Sequence, residues 1–149
     1  MVNVLAPVAG EIVSMDQVSD PVFAQGFVGP GLAVKPVAEP RITAVAAIGG
    51  TVTKLHPHAY VVTGEDGRGV LVHLGIDTVE LHGEGFELHV EEGAVVEAGQ
   101  DIVTWNPVAV AEGGKDTICP VVALDGKPES ITDQASGAVS AGDALFAWQ

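Results

Sequence analysis

Two of the five histidines in this 149-residue chain fall at a spacing that a single β-hairpin would bring together. One apolar run follows His56-Pro57-His58, a second ends at His73, and Gly64-Glu65-Asp66-Gly67 between them has the composition of a tight turn. A turn centred between Glu65 and Asp66 makes His58 and His73 direct cross-strand partners, with Cβ atoms about 4.5 to 5.5 Å apart. A one-residue bulge at Gly67 or Gly69 would instead send the two rings to opposite faces. Neutral imidazoles offer either one nucleophilic nitrogen and one donor or two metal-ligating nitrogens. The first use suits a phosphoryl carrier, in which one ring takes the group and the other donates a hydrogen bond to its oxygens. The plainer alternative is that His73, flanked by Val72 and Leu74, is a core histidine with its nitrogens satisfied.

A metal reading uses the same residues. His56 and His58 are two apart and Asp77 follows His73 by four, so three imidazoles and one carboxylate could form a tetrahedral zinc site. The set is similar to the His-x-His and His-x-x-x-Asp ligands of lysostaphin-type zinc peptidases, with the two motifs in reverse order.

The elements that must position these groups are short strands, because valine is abundant and 19 glycines and 9 prolines punctuate the chain. Strands are expected at Glu11–Val13, Leu32–Val34, Thr51–Lys54, Ala59–Thr63, Val70–Leu74, Val79–His82, Glu87–Val90, Ile102–Thr104, Val121–Leu124 and Ala144–Trp148. One helix of about two turns is expected over Asn106–Gly113, with Asn at the N-cap and Pro at the first position. Ala6–Val13 resembles Val45–Val52, and Gly93–Ile102 resembles Gly137–Leu145, which points to a duplicated β motif. The fold class is all-β: an antiparallel β-sandwich or barrel with that duplicated motif, one or two very short helices, and a single domain over 1–149.

Composition narrows the function classes. Twenty acidic against 6 basic side chains leave a formal charge of −14, and the basic residues are scattered, which argues against nucleic-acid binding. No apolar run approaches the roughly 18 residues of a membrane span, and no signal-peptide pattern opens the sequence, so a cytoplasmic protein without membrane insertion is expected. Cys119 is the only cysteine, excludes an intrachain disulfide, and reads as a small buried residue.

The segment Val72-His-Leu-Gly-Ile-Asp-Thr-Val-Glu-Leu81, followed by Gly83-Glu-Gly-Phe86, resembles the glucose-type IIA component of the bacterial phosphoenolpyruvate-dependent sugar phosphotransferase system. The resemblance extends to Ala6–Val13, Asp20–Ala24, Val28–Gly31, His58–Tyr60, Glu92–Gly99 and Thr117–Val122, and so covers nearly the whole chain. It implies that His73 carries a phosphoryl group on Nε2 while His58 supports that group. It implies as partners HPr as donor, a cysteine of a IIB domain in a membrane sugar permease as acceptor, and regulatory target proteins. It nominates Phe23, Phe27, Val28 and Phe86 as an apolar docking face and Asp20 and Asp77 as acidic rim residues. No cofactor is required under this reading, although His58 and His73 could take up adventitious zinc.

One departure stands out. Many family members carry Thr where this chain has His56, which would supply a substitute hydrogen bond, act as a third zinc ligand, or point away because of Pro57. A biotinyl or lipoyl carrier has a similar turn rhythm but needs a hairpin-tip Lys beside Met, and none of Lys35, Lys54, Lys115 and Lys127 has a Met neighbour.

Overall fold

Alternation of apolar side chains builds fourteen short strands in the computed structural model, which describes Met1–Gln149. They are β1 (Val2–Leu5), β2 (Gly10–Ser14), β3 (Gly31–Pro36), β4 (Ile42–Val45), β5 (Gly50–His56), β6 (Ala59–Thr63) and β7 (Gly69–His73). The second half adds β8 (Phe86–Leu88), β9 (Val95–Val96), β10 (Asp101–Trp105), β11 (Cys119–Ala123), β12 (Ile131–Thr132), β13 (Ala138–Val139) and β14 (Ala144–Trp148). All pair antiparallel, in one eight-stranded sheet ordered β13-β2-β3-β11-β7-β6-β5-β9 and two three-stranded sheets, β1-β14-β12 and β4-β10-β8. This is the expected antiparallel all-β sandwich.

The duplication is visible in the pairing itself. Leu5 pairs with Ala144 and Val4 with Phe146, while Val45 pairs with Asp101 and Ala44 with Val103, with a register irregularity at the same step of each pair. Ala6 exchanges backbone hydrogen bonds with Gly142 and Asp143, and Ala46 does the same with Gly99 and Gln100. The structure therefore aligns Ala6 with Ala46, one residue from the sequence match of Ala6 with Val45. The two copies also hold each other, through Leu5 N–H to Ala47 C=O and Val45 N–H to Pro7 C=O, both 2.9 Å.

The central strands are buried on both faces, and this fixes where the histidines emerge. Val70 and Val72 of β7, Val121 and Ala123 of β11, and Leu32 and Val34 of β3 enter a main core of 27 residues. The alternate residues Leu71, Val122 and Ala33 face a second, smaller core closed by Met15, Val18, Phe23, Ile76 and Ile118. His73 shares the outward phase of Leu71. Slipping β7 by one residue would take Val70 and Val72 out of the main core and turn His73 into it, where its ring nitrogens would lose their polar partners.

One expectation is corrected. Val79–His82 is not a strand but lies in a 3-10 turn, Thr78–Leu81, bracketed by Asp77 and His82 in left-handed conformation and tied by the Thr78 hydroxyl donating to Leu74 C=O at 2.7 Å. A short helix α1, Pro21–Ala24, is the second of the one or two very short helices expected, at a place that four residues cannot mark by periodicity; Asp20 caps it by accepting from Val22 N–H at 2.8 Å. Helix α2, Pro107–Glu112, forms where expected, with Asn106 Oδ1 accepting from Ala109 N–H.

Gly10 and Gly50, matched by the duplication, each leave room for a facing carbonyl. A Cβ would lie 2.0 Å from Lys35 O at Gly10 and 2.1 Å from Thr63 O at Gly50. Gly50→Ala is expected to cost about 3 kcal/mol or more in chemical denaturation, whereas Gly49→Ala, whose Cβ would meet nothing closer than 3.4 Å, should cost about 1 kcal/mol or less.

Candidate functional site

The β6–β7 hairpin sets the site with a register one step from the symmetric turn expected. Thr63 pairs with Gly69 and Ala59 with His73, so the turn centres on Asp66 and His73 lies opposite Ala59, not His58. His58 instead occupies the two-residue turn Pro57-His58 between β5 and β6, where His56 pairs with Ala59. A turn residue is released from strand alternation, and its ring reaches His73 anyway: the centroids are 5.2 Å apart at 69°. The expected proximity holds, but through turn geometry rather than cross-strand pairing.

His73 is held as a nucleophile. Its Nδ1 lies 2.5 Å from the carbonyl oxygen of Gly75, which can only accept, so the proton sits on Nδ1 and Nε2 keeps its lone pair. Gly75 adopts φ of 78°, and a Cβ there would lie 2.7 Å from Thr78 Cγ2 and 2.9 Å from Asp116 O. That position requires glycine. The edge of the Phe23 ring packs on His73 with centroids 5.4 Å apart.

Burial pushes the His73 pKa down, opposed by the Gly75 hydrogen bond and by the carboxylates of Asp20 and Asp77. His58 falls to about 4, first through burial and then through repulsion by His73 and His56. Near pH 7 both are therefore neutral, the form in which an imidazole keeps a nitrogen lone pair free. Cys119, buried behind the site, has its thiol pushed up to about 12, chiefly by burial, so it offers no thiolate.

The remaining nominated residues divide. Phe23 is buried against His73, Phe27 is 73% exposed, and Val28 is half-buried over the second core. Asp20 is half-buried at the α1 cap and Asp77 is exposed. Phe86 is stacked on Trp105, with centroids 5.8 Å apart and planes 6° apart, outside the cluster of rings around His73. No three His, Cys, Asp or Glu side chains converge as metal ligands, so the four-ligand set of His56, His58, His73 and Asp77 is not assembled. His56 instead stacks on His58, with ring centroids 5.6 Å apart and planes at 26°.

Sequence reasoning overlooked Val22 and Val79, exposed apolar residues each two positions after one of the flanking aspartates. The signal lay in those aspartates, which open short helical turns and leave the following valine outside.

Fold and site together define a β-sandwich protein with a nucleophilic paired-histidine centre. The family model described as phosphoenolpyruvate-dependent sugar phosphotransferase system, EIIA 1, matches residues 2–129. The glucose-specific EIIA component of Oceanobacillus iheyensis is 37% identical over 123 residues, covering 81% of this chain and 73% of that protein. The glucose-specific EIIBCA component of Corynebacterium glutamicum is 38% identical over 124 residues, which are 82% of this chain and 18% of that longer one. The solved structure of glucose permease IIA from Mycoplasma capricolum superimposes with a TM-score of 0.90 at 31% identity, over 97% of this chain and 94% of that one. The chain belongs to the EIIA 1 family of the sugar phosphotransferase system, and is a phosphotransferase component of the glucose type.

The depressed histidine pKa values set a pH dependence of stability. Unfolded histidine takes up a proton near pH 6.5, while folded His58 resists until about pH 4 and folded His73 is shifted the same way. The unfolded chain binds more protons across this window, so stability falls as pH drops from about 6.5 toward 4. His58→Gln should reduce the loss of unfolding free energy between pH 7 and pH 5 measured by denaturant titration.

Proposed function

We propose that the Nε2 of His73 accepts a phosphoryl group from the phosphohistidine of HPr and passes it to a cysteine of a IIB domain during coupled sugar import and phosphorylation. The observation that carries the assignment of the atom is the Nδ1–H bond to Gly75, which leaves Nε2 as the only nucleophilic nitrogen of a neutral ring. In the first step the Nε2 lone pair forms a bond to phosphorus while the bond to the donor nitrogen breaks, returning its electron pair to the donor ring. In the second, a thiolate sulfur attacks the phosphorus and the His73 nitrogen recovers its pair.

Such transfer depends on in-line positioning and charge stabilisation, and between two protein nucleophiles needs no metal or organic cofactor. In this reading His58 donates a hydrogen bond to the phosphoryl oxygens, a role supported by its ring lying 5.2 Å from that of His73 and by the incoming dianion, which favours its protonation. No arginine sits beside the histidine pair; Arg68, at the hairpin turn, is occupied by Asp66 and the Trp148 carbonyl. A site that must release its phosphoryl group is better served by one switchable donor than by a permanent cation.

The relatives named EIICBA and EIIBCA, 40% and 38% identical to this chain, combine A with B and C components and support a IIB acceptor. Val22, Phe27 and Val79 expose apolar surface on the segments beside His73 and form the docking face, with Asp20 and Asp77 at its rim. The −14 charge steers a basic partner face and acts mainly on association rate. No helix is long and apolar enough to cross a membrane, and the exchange is assigned to the cytoplasm, where donor and permease domain meet.

Intact mass after incubation with phosphoenolpyruvate, enzyme I and HPr tests the reading. Wild type should gain one acid-labile phosphoryl group, His73→Gln none, and His58→Gln should gain it but pass it to a IIB domain roughly 100-fold more slowly. Wild type without an adduct, or an adduct retained in His73→Gln, would refute the assignment.

A further inference from the structure

We propose that His56 is a positioning residue whose ring fixes the orientation of His58 toward the phosphoryl site. The inference rests on the phosphocarrier reading for its consequence in transfer, but the positioning itself stands on geometry alone.

Among the histidines, only His73 and His89 have a ring nitrogen hydrogen-bonded to protein: His73 to Gly75, and His89 to the Thr104 hydroxyl. His58 has no such tether. Two imidazole rings flank it, His73 in a T-shaped arrangement at 5.2 Å and His56 nearly parallel at 5.6 Å and 26°. A histidine in a two-residue turn, without a hydrogen bond, keeps freedom about both side-chain torsions unless packing removes it.

The sheet register explains why His56 can do this. His56 pairs with Ala59 on β5–β6, and Ala59 pairs with His73 on β6–β7, so the three lie in one row across three strands and their side chains share a face. Two strand spacings separate His56 from His73, about 10 Å. The middle position of the row is alanine, the smallest side chain that keeps a Cβ, and it leaves a gap between the two outer imidazoles. His58 projects from the turn into that gap and is sandwiched by them. A phosphoryl group on His73 thus meets a donor already oriented, with both of its nitrogens free of competing protein partners.

This geometry differs from each of the uses the sequence alone suggested for His56. It makes no substitute hydrogen bond, it joins no metal set, and Pro57 does not turn it away. What it supplies is a flat ring, so the shape of the side chain rather than its basicity should carry the effect.

The test compares His56→Ala, His56→Gln and His56→Phe in the full chain. Three-bond couplings and side-chain relaxation measured by NMR report whether His58 keeps a single rotamer, and this readout needs no phosphoryl donor. Transfer from the phosphorylated protein to a IIB domain gives kcat and KM. Wild type and His56→Phe should show one ordered His58 rotamer, while His56→Ala and His56→Gln should show averaging. The kcat should drop roughly tenfold in His56→Ala and His56→Gln with KM for the IIB domain unchanged, and His56→Phe should recover to within about twofold of wild type. An ordered His58 in His56→Ala, or a His56→Phe protein no better than His56→Ala, would overturn the positioning role. A wild type that takes up no phosphoryl group would overturn the carrier reading and with it the role in transfer, while the rotamer measurement would still decide the positioning.

Discussion

A single hydrogen bond, from His73 Nδ1–H to the Gly75 carbonyl, converts an ordinary strand-end histidine into a ring with one defined nucleophilic nitrogen. The bond exists because the chain turns back immediately after β7. Leu74 N–H donates to the His58 carbonyl at 2.7 Å, closing the hairpin end, and Ile76 N–H donates to Asp116 O at 2.9 Å, anchoring the return. Between them Gly75 must take a left-handed conformation in a space with no room for a methyl group. The site is therefore part of the backbone path, and its geometry is as stiff as the sheet that carries it.

That sheet is stiff because the two copies of the motif complete one another. Each copy is closed by a strand from far along the chain, β14 on β1 and β10 on β4, and the copies are tied to each other where Leu5 and Val45 donate to the carbonyls of Ala47 and Pro7. The resulting frame buries β11 and β7 on both faces. Only the C-terminal end of β7 emerges, and the second core under Phe23 and Ile76 ensures that it emerges beside a half-dry surface. Burial at this surface lowers the pKa values of both histidines, and the Phe23 ring packs against His73.

Much of this was legible in the residues. Ala59–Thr63 and Ala144–Trp148 were readable to the residue because β-branched and aromatic side chains alternate there between clear turn signals, and α2 was readable from Asn106, Pro107 and Gly113. The hairpin was readable but its register was not, since Gly64–Arg68 supports turns of several lengths and only the burial of Val70 and Val72 selects one. The proximity of His58 and His73 holds, but it comes from the Pro57-His58 turn, since the strand register places Ala59 opposite His73. The 3-10 turn at Thr78–Leu81 was hidden because Val-Glu-Leu-His alternates like a strand, and the two left-handed residues that bracket it are Asp and His rather than Gly. The stacking of His56 on His58 was invisible, because it depends on where a turn residue projects, which no strand periodicity encodes.

Long-range proton–nitrogen correlation NMR of uniformly labelled wild type at pH 7 reads directly which nitrogen of His73 is free. The structure predicts a neutral His73 ring with its proton on Nδ1 and the shift of an unprotonated nitrogen at Nε2. A His73 protonated on Nε2 alone, or a doubly protonated ring at that pH, would be incompatible with Nε2 as the free nucleophilic nitrogen.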